Sequence, residues 1–185
     1  MANLLFGADH HYFHTKMVEG FGKNESSEHE GEESKRPWNT VEEHNEALIA
    51  NHNSVVKPAD TFYMLGDCFL NNGDDYTPLR RMNGKIKIIV GNHCTWNRIK
   101  NYVKLAEEGV IHSVEGYGTI GKDVILSHIP VHDSQVSYRF KWNIHGHLHN
   151  GVVNDPRYFC ASMDRINFTP ISYEEIKAIM RERGV

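Results

Sequence analysis

The sequence is narrowed first by what it lacks. It contains no run of about 18 apolar residues, so no transmembrane helix is expected. The opening "MANLLFGADHHYFHTK" has no basic leader and no small-residue cleavage site, and it reads as a first strand, not a signal peptide. Cysteine is scarce: Cys68, Cys94 and Cys160 are odd in number and show no C-x-x-C spacing. That argues against a disulfide framework and a structural zinc knuckle, and makes a reducing cytoplasm the expected setting. Excess charge is small. A net charge of −4 argues against broad capture of long nucleic acid, while a small anion held by local positive charge stays compatible. Neither a repeat nor a linker interrupts the chain, and 185 residues suit one domain over 1–185.

Histidine is what the chain has in excess: thirteen, against fifteen glycines. The stretch "NIHGHLHNG", 143–151, sets His145, His147 and His149 at alternate positions. On a strand these would share one face, and a lone H-x-H is adequately explained as a wet sheet surface. Neutral imidazole is also the commonest side-chain metal ligand. Gly146 would let the backbone approach closely or turn sharply.

Elsewhere the pattern alternates strand and helix. "ANLLFGA" is a buried strand ending at Asp9. Residues 21–36, with five glutamates, read as a solvated or mobile loop. "TVEEHNEALIANHNSVV" is helical, with Thr40 as cap and Glu43 completing a capping box. "TFYMLGD" and "KIKIIVGNH" are strands running into glycine turns, with a short helix in "TPLRRMNG" between them. "TWNRIKNYVKLAEEG" is a helix stopping at Gly109, and 110–128 holds two or three strands. "RFKWNIHGH" and "RYFCASM" supply further strands, and a helix capped by Ser172 and Glu175 closes the chain. The expected class is α/β, layered, with mixed sheets.

Polar clusters recur where strands end: "GADHH", "LGDC", "VGNH", "LSH", "HGHLH". Sites in open α/β folds gather at the carboxyl ends of strands. Asp9 and His11 are i and i+2, so extended backbone would aim both at one pocket. Asp67, Asn92, His93, His128, His147 and His149 complete the set. Each alone has a bland explanation, as a turn aspartate, a capping asparagine or a core histidine. Their ordered recurrence after successive strands does not.

The order D-x-H, G-D, G-N-H, H, G-H-x-H resembles the calcineurin-like metallophosphoesterases, over nearly the whole chain from Leu4 to the last helix. It is most similar to the small cap-less phosphoesterases of bacteria and phages. The resemblance implies a four-layer αββα sandwich with a two-metal site at its rim. By motif, Asp9, His11, Asp67 and His149 would hold one divalent ion, and Asp67, Asn92, His128 and His147 the other. Manganese is the metal expected for activity, with Fe, Ni, Co or Zn also suited to mixed N/O ligands. His93 would be the catalytic residue, beside the leaving group. His14 would contact substrate phosphate. The implied activity is hydrolysis of phosphate esters by in-line attack of a metal-bridging hydroxide. Small phosphodiesters such as cyclic nucleotides are favoured, in the cytoplasm, or the host's if the gene is a phage's.

Two departures stand out. Leu70 replaces the last acid of the G-D-x-x-D that many members carry, and Cys94 follows the G-N-H histidine where an acid often stands. Cys94 is read as a neutral packing residue, and Cys68 as a small core residue. His132 and Asp133 could line the same rim, and Arg80 and Arg81 read as a solvated helix face. His29, His44, His52 and His112 are assigned no catalytic role. The alternatives are a catalytically silent metal-binding scaffold, a nucleotide phosphomonoesterase, and a mononuclear zinc hydrolase.

Overall fold

The computed structural model describes residues 2–20, 35–70 and 74–185. The elements in chain order are β1 (Leu4–Gly7), α1 (Lys16–Glu19), α2 (Val41–Val55), β2 (Thr61–Leu65), α3 (Thr77–Arg81), β3 (Lys85–Ile89), α4 (Trp96–Glu107), β4 (Ser113–Glu115), β5 (Gly118–Ile120), β6 (Val124–Leu126), α5 (Asp133–Tyr138), β7 (Trp142–His145), β8 (Tyr158–Cys160), β9 (Ile171–Ser172) and α6 (Tyr173–Glu182). Two sheets result. One runs β4-β3-β2-β1-β9, parallel except for β9, and the other runs β5-β6-β7-β8, parallel except for β5. The architecture is therefore a mixed α/β sandwich.

The apolar strands explain the layering. A parallel strand is covered on both faces and needs apolar residues on both. Phe62 and Met64 of β2 face a core built with Leu48, Ile49, Leu79, Tyr102 and Leu105 from α2, α3 and α4. Tyr63 and Leu65 turn the other way, into a second core shared with Val124, Leu126, Ile144 and Phe159 of the opposite sheet. A third, smaller cluster sets Val136 and Phe140 against Ile125 and Tyr158, so α5 covers the far face.

Local signals match the elements with small shifts. Thr40 caps α2 by accepting from Glu43 N–H, but the Glu43 carboxylate takes Asn39 N–H instead of closing the box on Thr40. Ser172 and Glu175 form the full reciprocal box on α6. The helix of "TPLRRMNG" ends at Arg81, short of Gly84. α1, α5 and β9, of four, six and two residues, have no counterpart in the sequence reading. Among the described residues no helix is long and apolar enough to cross a membrane.

The expectation of a solvated loop over 21–36 needs one correction. Residues 21–34, including His29, lie outside the described residues. Lys35 is exposed, but Arg36 is 1% exposed, because its guanidinium is enclosed by hydrogen-bond acceptors.

His44 and His52 lie along the buried face of α2, which has a consequence for acid stability. Burial, then the Arg36 charge, lowers His44 to about 3, and burial lowers His52 to about 4. Both titrate near 6.5 in an unfolded chain. Between those values the unfolded chain takes up protons that the folded chain refuses, so stability falls as pH falls through the window. From pH 6.5 to pH 5 the pair should remove about 3 kcal/mol, measurable by urea unfolding. His52→Gln, which can still donate to the Asn83 carbonyl that His52 reaches at 2.8 Å, should shrink that loss by about 1.5 kcal/mol.

Candidate metal centre

The parallel strands deliver their carboxyl ends to one rim. Ala8, just past β1, bridges in parallel to Ser162, just past β8, so the two sheets meet there. Asp9 and His11 follow β1, Asp67 follows β2, Asn92 and His93 follow β3, His128 follows β6, and His147 and His149 follow β7. All the residues expected at the site belong to these exit loops.

The backbone of the loops differs from the extended path expected for D-x-H and H-x-H. Asp9, His11, Asp67, His147 and His149 all have positive φ, at 57°, 53°, 48°, 73° and 48°. Such left-handed non-glycine residues are uncommon and persist only where their surroundings hold them. The side chains converge because each loop coils tightly off its strand, not because alternate residues share a face.

Gly146 and Gly91 make the crowding tolerable. A Cβ on Gly146 would stand 2.5 Å from Ala8 Cβ and 2.7 Å from Asp9 Oδ2. One on Gly91 would stand 2.2 Å from Asp67 Oδ1. Gly146→Ala should therefore push β7's exit loop off Asp9. We expect a destabilisation of about 1–3 kcal/mol, together with weakened metal uptake, in paired unfolding and metal titrations.

Two groups of ligand atoms form, Asp9–His11–His149 and Asp67–His128–His147, with the atoms in each within 4.8 Å of one another. In the first, His11 Nε2 and His149 Nε2 face each other at 3.3 Å. His149 Nδ1 is 2.9 Å from Asp164 Oδ2, which fixes Nδ1 as the protonated nitrogen and leaves Nε2 a lone pair. Asp9 Oδ2 accepts from His147 N–H at 2.8 Å and from the Ser162 hydroxyl. Asp9 Oδ1 is buried with no hydrogen-bond partner and lies 4.0 Å from His11 Nε2. In the second group, His128 Nδ1 donates to the Leu65 carbonyl at 2.9 Å. Its Nε2 lies 3.0 Å from Asp67 Oδ2 and 2.8 Å from Asn92 Oδ1.

This geometry is a test of fit. Each group brings ring nitrogens and oxygens within hydrogen-bond reach of one another, with room for one electropositive centre: a His11 Nε2–H in the first and a His128 Nε2–H in the second, or a cation in each. Metal-free, that centre is a proton. Burial pulls His128 down, but its hydrogen bond to Asp67 and the charges of Asp9 and Asp67 outweigh it and leave the group raised. Asp9 is pushed up by burial, against the pull of His149 and His128. A divalent cation in each group would satisfy the same atoms, and both groups are mixed nitrogen and oxygen sites without thiolate. The residues present fit two metal ions.

The positioning residue absent from the sequence reading is Arg36. Its Nε and Nη2 donate to the two oxygens of Asp164, at 3.0 and 2.8 Å. Nη1 also donates to the His10 carbonyl at 2.9 Å and to His44 Nε2 at 2.8 Å, and Nη2 to the Asp9 carbonyl at 2.6 Å. One guanidinium thus ties the first exit loop to Asp164, which in turn orients His149. The hydrogen bonds and paired charges of Arg36 and His149 hold the Asp164 carboxyl well below its usual range against burial. Asp164 and Ser162 were missed because each carries a single common polar side chain far from any motif. For Arg36 the only hint is the abrupt change from glutamates to "RPW".

The remaining expectations sort as follows. His93 is exposed and outside both groups, with Nε2 3.9 Å from Asp67 Oδ2. Its N–H donates to Asp67 Oδ1 at 3.1 Å and its carbonyl accepts from Arg98 at 3.0 Å. The His14 ring lies 5.6 Å from that of His11, at the edge of the site, while His10 is buried against Tyr12 and Phe62. His145 turns away, against Tyr158, with Nδ1 on the Gly146 carbonyl. His132 caps α5 and pairs with Asp133, both exposed. Arg80 and Arg81 pair with Glu108 and Glu46 on the surface. Cys68 is buried in the core of α2–α4. Cys94 packs on the same core, its sulfur accepting Gly91 N–H at 3.4 Å and its thiol pushed up by burial. A carboxylate there would sit against apolar groups and near Asp67. Cys94→Asp is expected to lower the urea midpoint with no gain in rate, and a gain of about tenfold or more would make position 94 an orienting group for His93.

The chain is 31% identical over 160 residues to the uncharacterized protein MJ1445 of Methanocaldococcus jannaschii, which covers 80% of this chain and 81% of that protein. This chain belongs to that protein's family. The crystal structure of the protein of unknown function AQ665 from Aquifex aeolicus superposes with a TM-score of 0.67 over 97% of this chain and 100% of that one, at 23% identity, and so shares the fold. No family model matches the sequence.

Proposed function

We propose that the chain is a dinuclear metal-dependent phosphoesterase of the calcineurin-like metallophosphoesterase superfamily, with that superfamily's four-layer αββα fold. The observation that carries this reading is the pair of ligand groups, each drawn from both sheets, in which imidazole nitrogens and carboxylate oxygens converge on a common point. Asp9, His11 and His149 would hold one ion, and Asn92, His128 and His147 the other, with Asp67 as the carboxylate they would share. Bound there, two divalent ions, manganese for activity, would supply Lewis acidity and lower the pKa of a water for attack at phosphorus.

The chain's own groups do the rest. Asp164 and the Leu65 carbonyl keep His149 and His128 in the tautomers that present Nε2. His93, fixed at its backbone and with its half-exposed ring beside Asp67 and His11, gives a proton to the departing oxygen. His14 at the rim contacts a phosphoryl oxygen. The favoured substrates are small phosphodiesters of nucleotides, since the site is open at Asn92 and His93.

The test is the initial rate on an aryl phosphodiester and its matching monoester. The protein is stripped by chelator and then reloaded with Mn²⁺. Diester turnover that vanishes on stripping supports the reading. Turnover of the monoester alone would overturn the diester preference. Two bound metals with neither ester turned over would leave a metal-binding scaffold.

A further inference from the structure

A groove of about 690 Å³ opens directly beside the second ligand group, and Asn92 and His128 form part of its wall. That volume is in the range of small-molecule sites. Four separate segments build it: the β3 exit with Val90 and Asn92, the start of α4 with Ile99, the β4–β5 turn with Tyr117, and the β6–α5 stretch with Ile129 and Val131. Gln135 and Arg139 of the α5 segment stand along one side. Tyr117 is 61% exposed and Ile129 51% exposed, so large apolar surfaces face the groove with little over them. The Tyr117 ring meets no other ring among the described residues. The Arg139 guanidinium lies over Phe140, 5.4 Å from the ring centroid, and has no ion pair among them.

We infer that this groove seats the organic group of the phosphate ester, and that the group is a nucleoside whose base stacks on Tyr117. The inference rests on the phosphoesterase reading and adds to it where the ester group lies and what selects it. The wall chemistry decides the class. An alkyl chain would match Ile99, Ile129 and Val131 but leave Gln135 and Arg139 unanswered. A bare sugar would answer those two while wasting the Tyr117 face. A nucleobase is flat and apolar on its faces and polar at its edge, and it matches both. The groove adjoins Asn92 and His128, so a phosphate at the metal groups and a base on Tyr117 can belong to one molecule.

The experiment measures binding, not turnover. Adenosine 5′-monophosphate and methyl phosphate are titrated calorimetrically into the full Mn²⁺-loaded chain, in the natural sequence and in Tyr117→Ala and Gln135→Ala. The nucleotide should bind about tenfold tighter or more, the size of one base–aromatic stack, and Tyr117→Ala should erase most of that advantage. Gln135→Ala should lose less, about threefold, as one hydrogen bond does. Equal affinity in the natural protein, an advantage that survives Tyr117→Ala, or binding of neither phosphate would each overturn the inference. Base-dependent binding without any ester turnover would instead sink the hydrolase reading and leave the groove assigned. Turnover with no nucleotide advantage would do the reverse.

Discussion

His93→Ala should lower turnover of an aryl phosphodiester by about 10²–10⁴-fold while two metals per chain stay bound. The split between rate and loading follows from how His93 is held. Its contribution to the architecture is made by the main chain: N–H to Asp67 Oδ1 and carbonyl to Arg98. Alanine keeps both. The imidazole belongs to neither ligand group, and its Nε2 lies 3.9 Å from Asp67 Oδ2. On the proposed function, removing it would take a proton donor from the rim and no ligand from either group. Elemental analysis of the variant, run beside the rate measurement, separates the two roles. A variant that loses both would make His93 a ligand and remove it from the leaving-group side.

Arg36→Met is expected to be the most damaging single change, costing about 3–5 kcal/mol in urea unfolding. Methionine fills much of the space but leaves the Asp164 carboxylate, 7% exposed, as a buried charge without its partner. It also removes the side chain that, among the described residues, ties the carbonyls of Asp9 and His10 to Asp164, so His149 loses a fixed orienter. Metal affinity should fall by about 10–100-fold, the usual size of losing such support. The double change Arg36→Met with Asp164→Asn separates the two causes. It removes the orphan charge, so it should unfold at higher urea than Arg36→Met alone while still binding metal weakly. If the double variant is as unstable as the single one, the damage lies in the lost carbonyl hydrogen bonds and not in the charge.

Much of this centre can be read from the sequence, because strand ends and metal-binding residue types are both local signals. The apolar runs before Asp9, Asp67, Asn92 and His128 mark buried strands, and their polar endings mark the rim. What cannot be read is of two kinds. The left-handed φ of Asp9, His11, Asp67, His147 and His149 contradicts the preference of those residues, and only the packed loops impose it. The extended geometry expected for D-x-H failed for this reason, although the convergence it was meant to explain is present. The other kind is long-range. Arg36 and Asp164 find each other across 128 residues of chain, and nothing in either neighbourhood names the other. A glutamate-rich run invited the reading of a solvated loop, and its last residue proved to be a fully enclosed cation.

The two ligand groups divide their members between the sheets, and this bears on the order in which the protein assembles. Asp9, His11 and Asp67 leave one sheet, and His128, His147 and His149 leave the other. His11 and His149, now 3.3 Å apart, are separated by 138 residues. Closing so long a span is among the slower and more entropically costly events available to the chain. Neither sheet alone holds every member of either group, so no half-built version can capture an ion with its full ligand set. A metal ion held by these groups would therefore enter after the sheets have docked, as a late rivet across their seam. It would add little to the rate of folding and most of its weight to the barrier against coming apart.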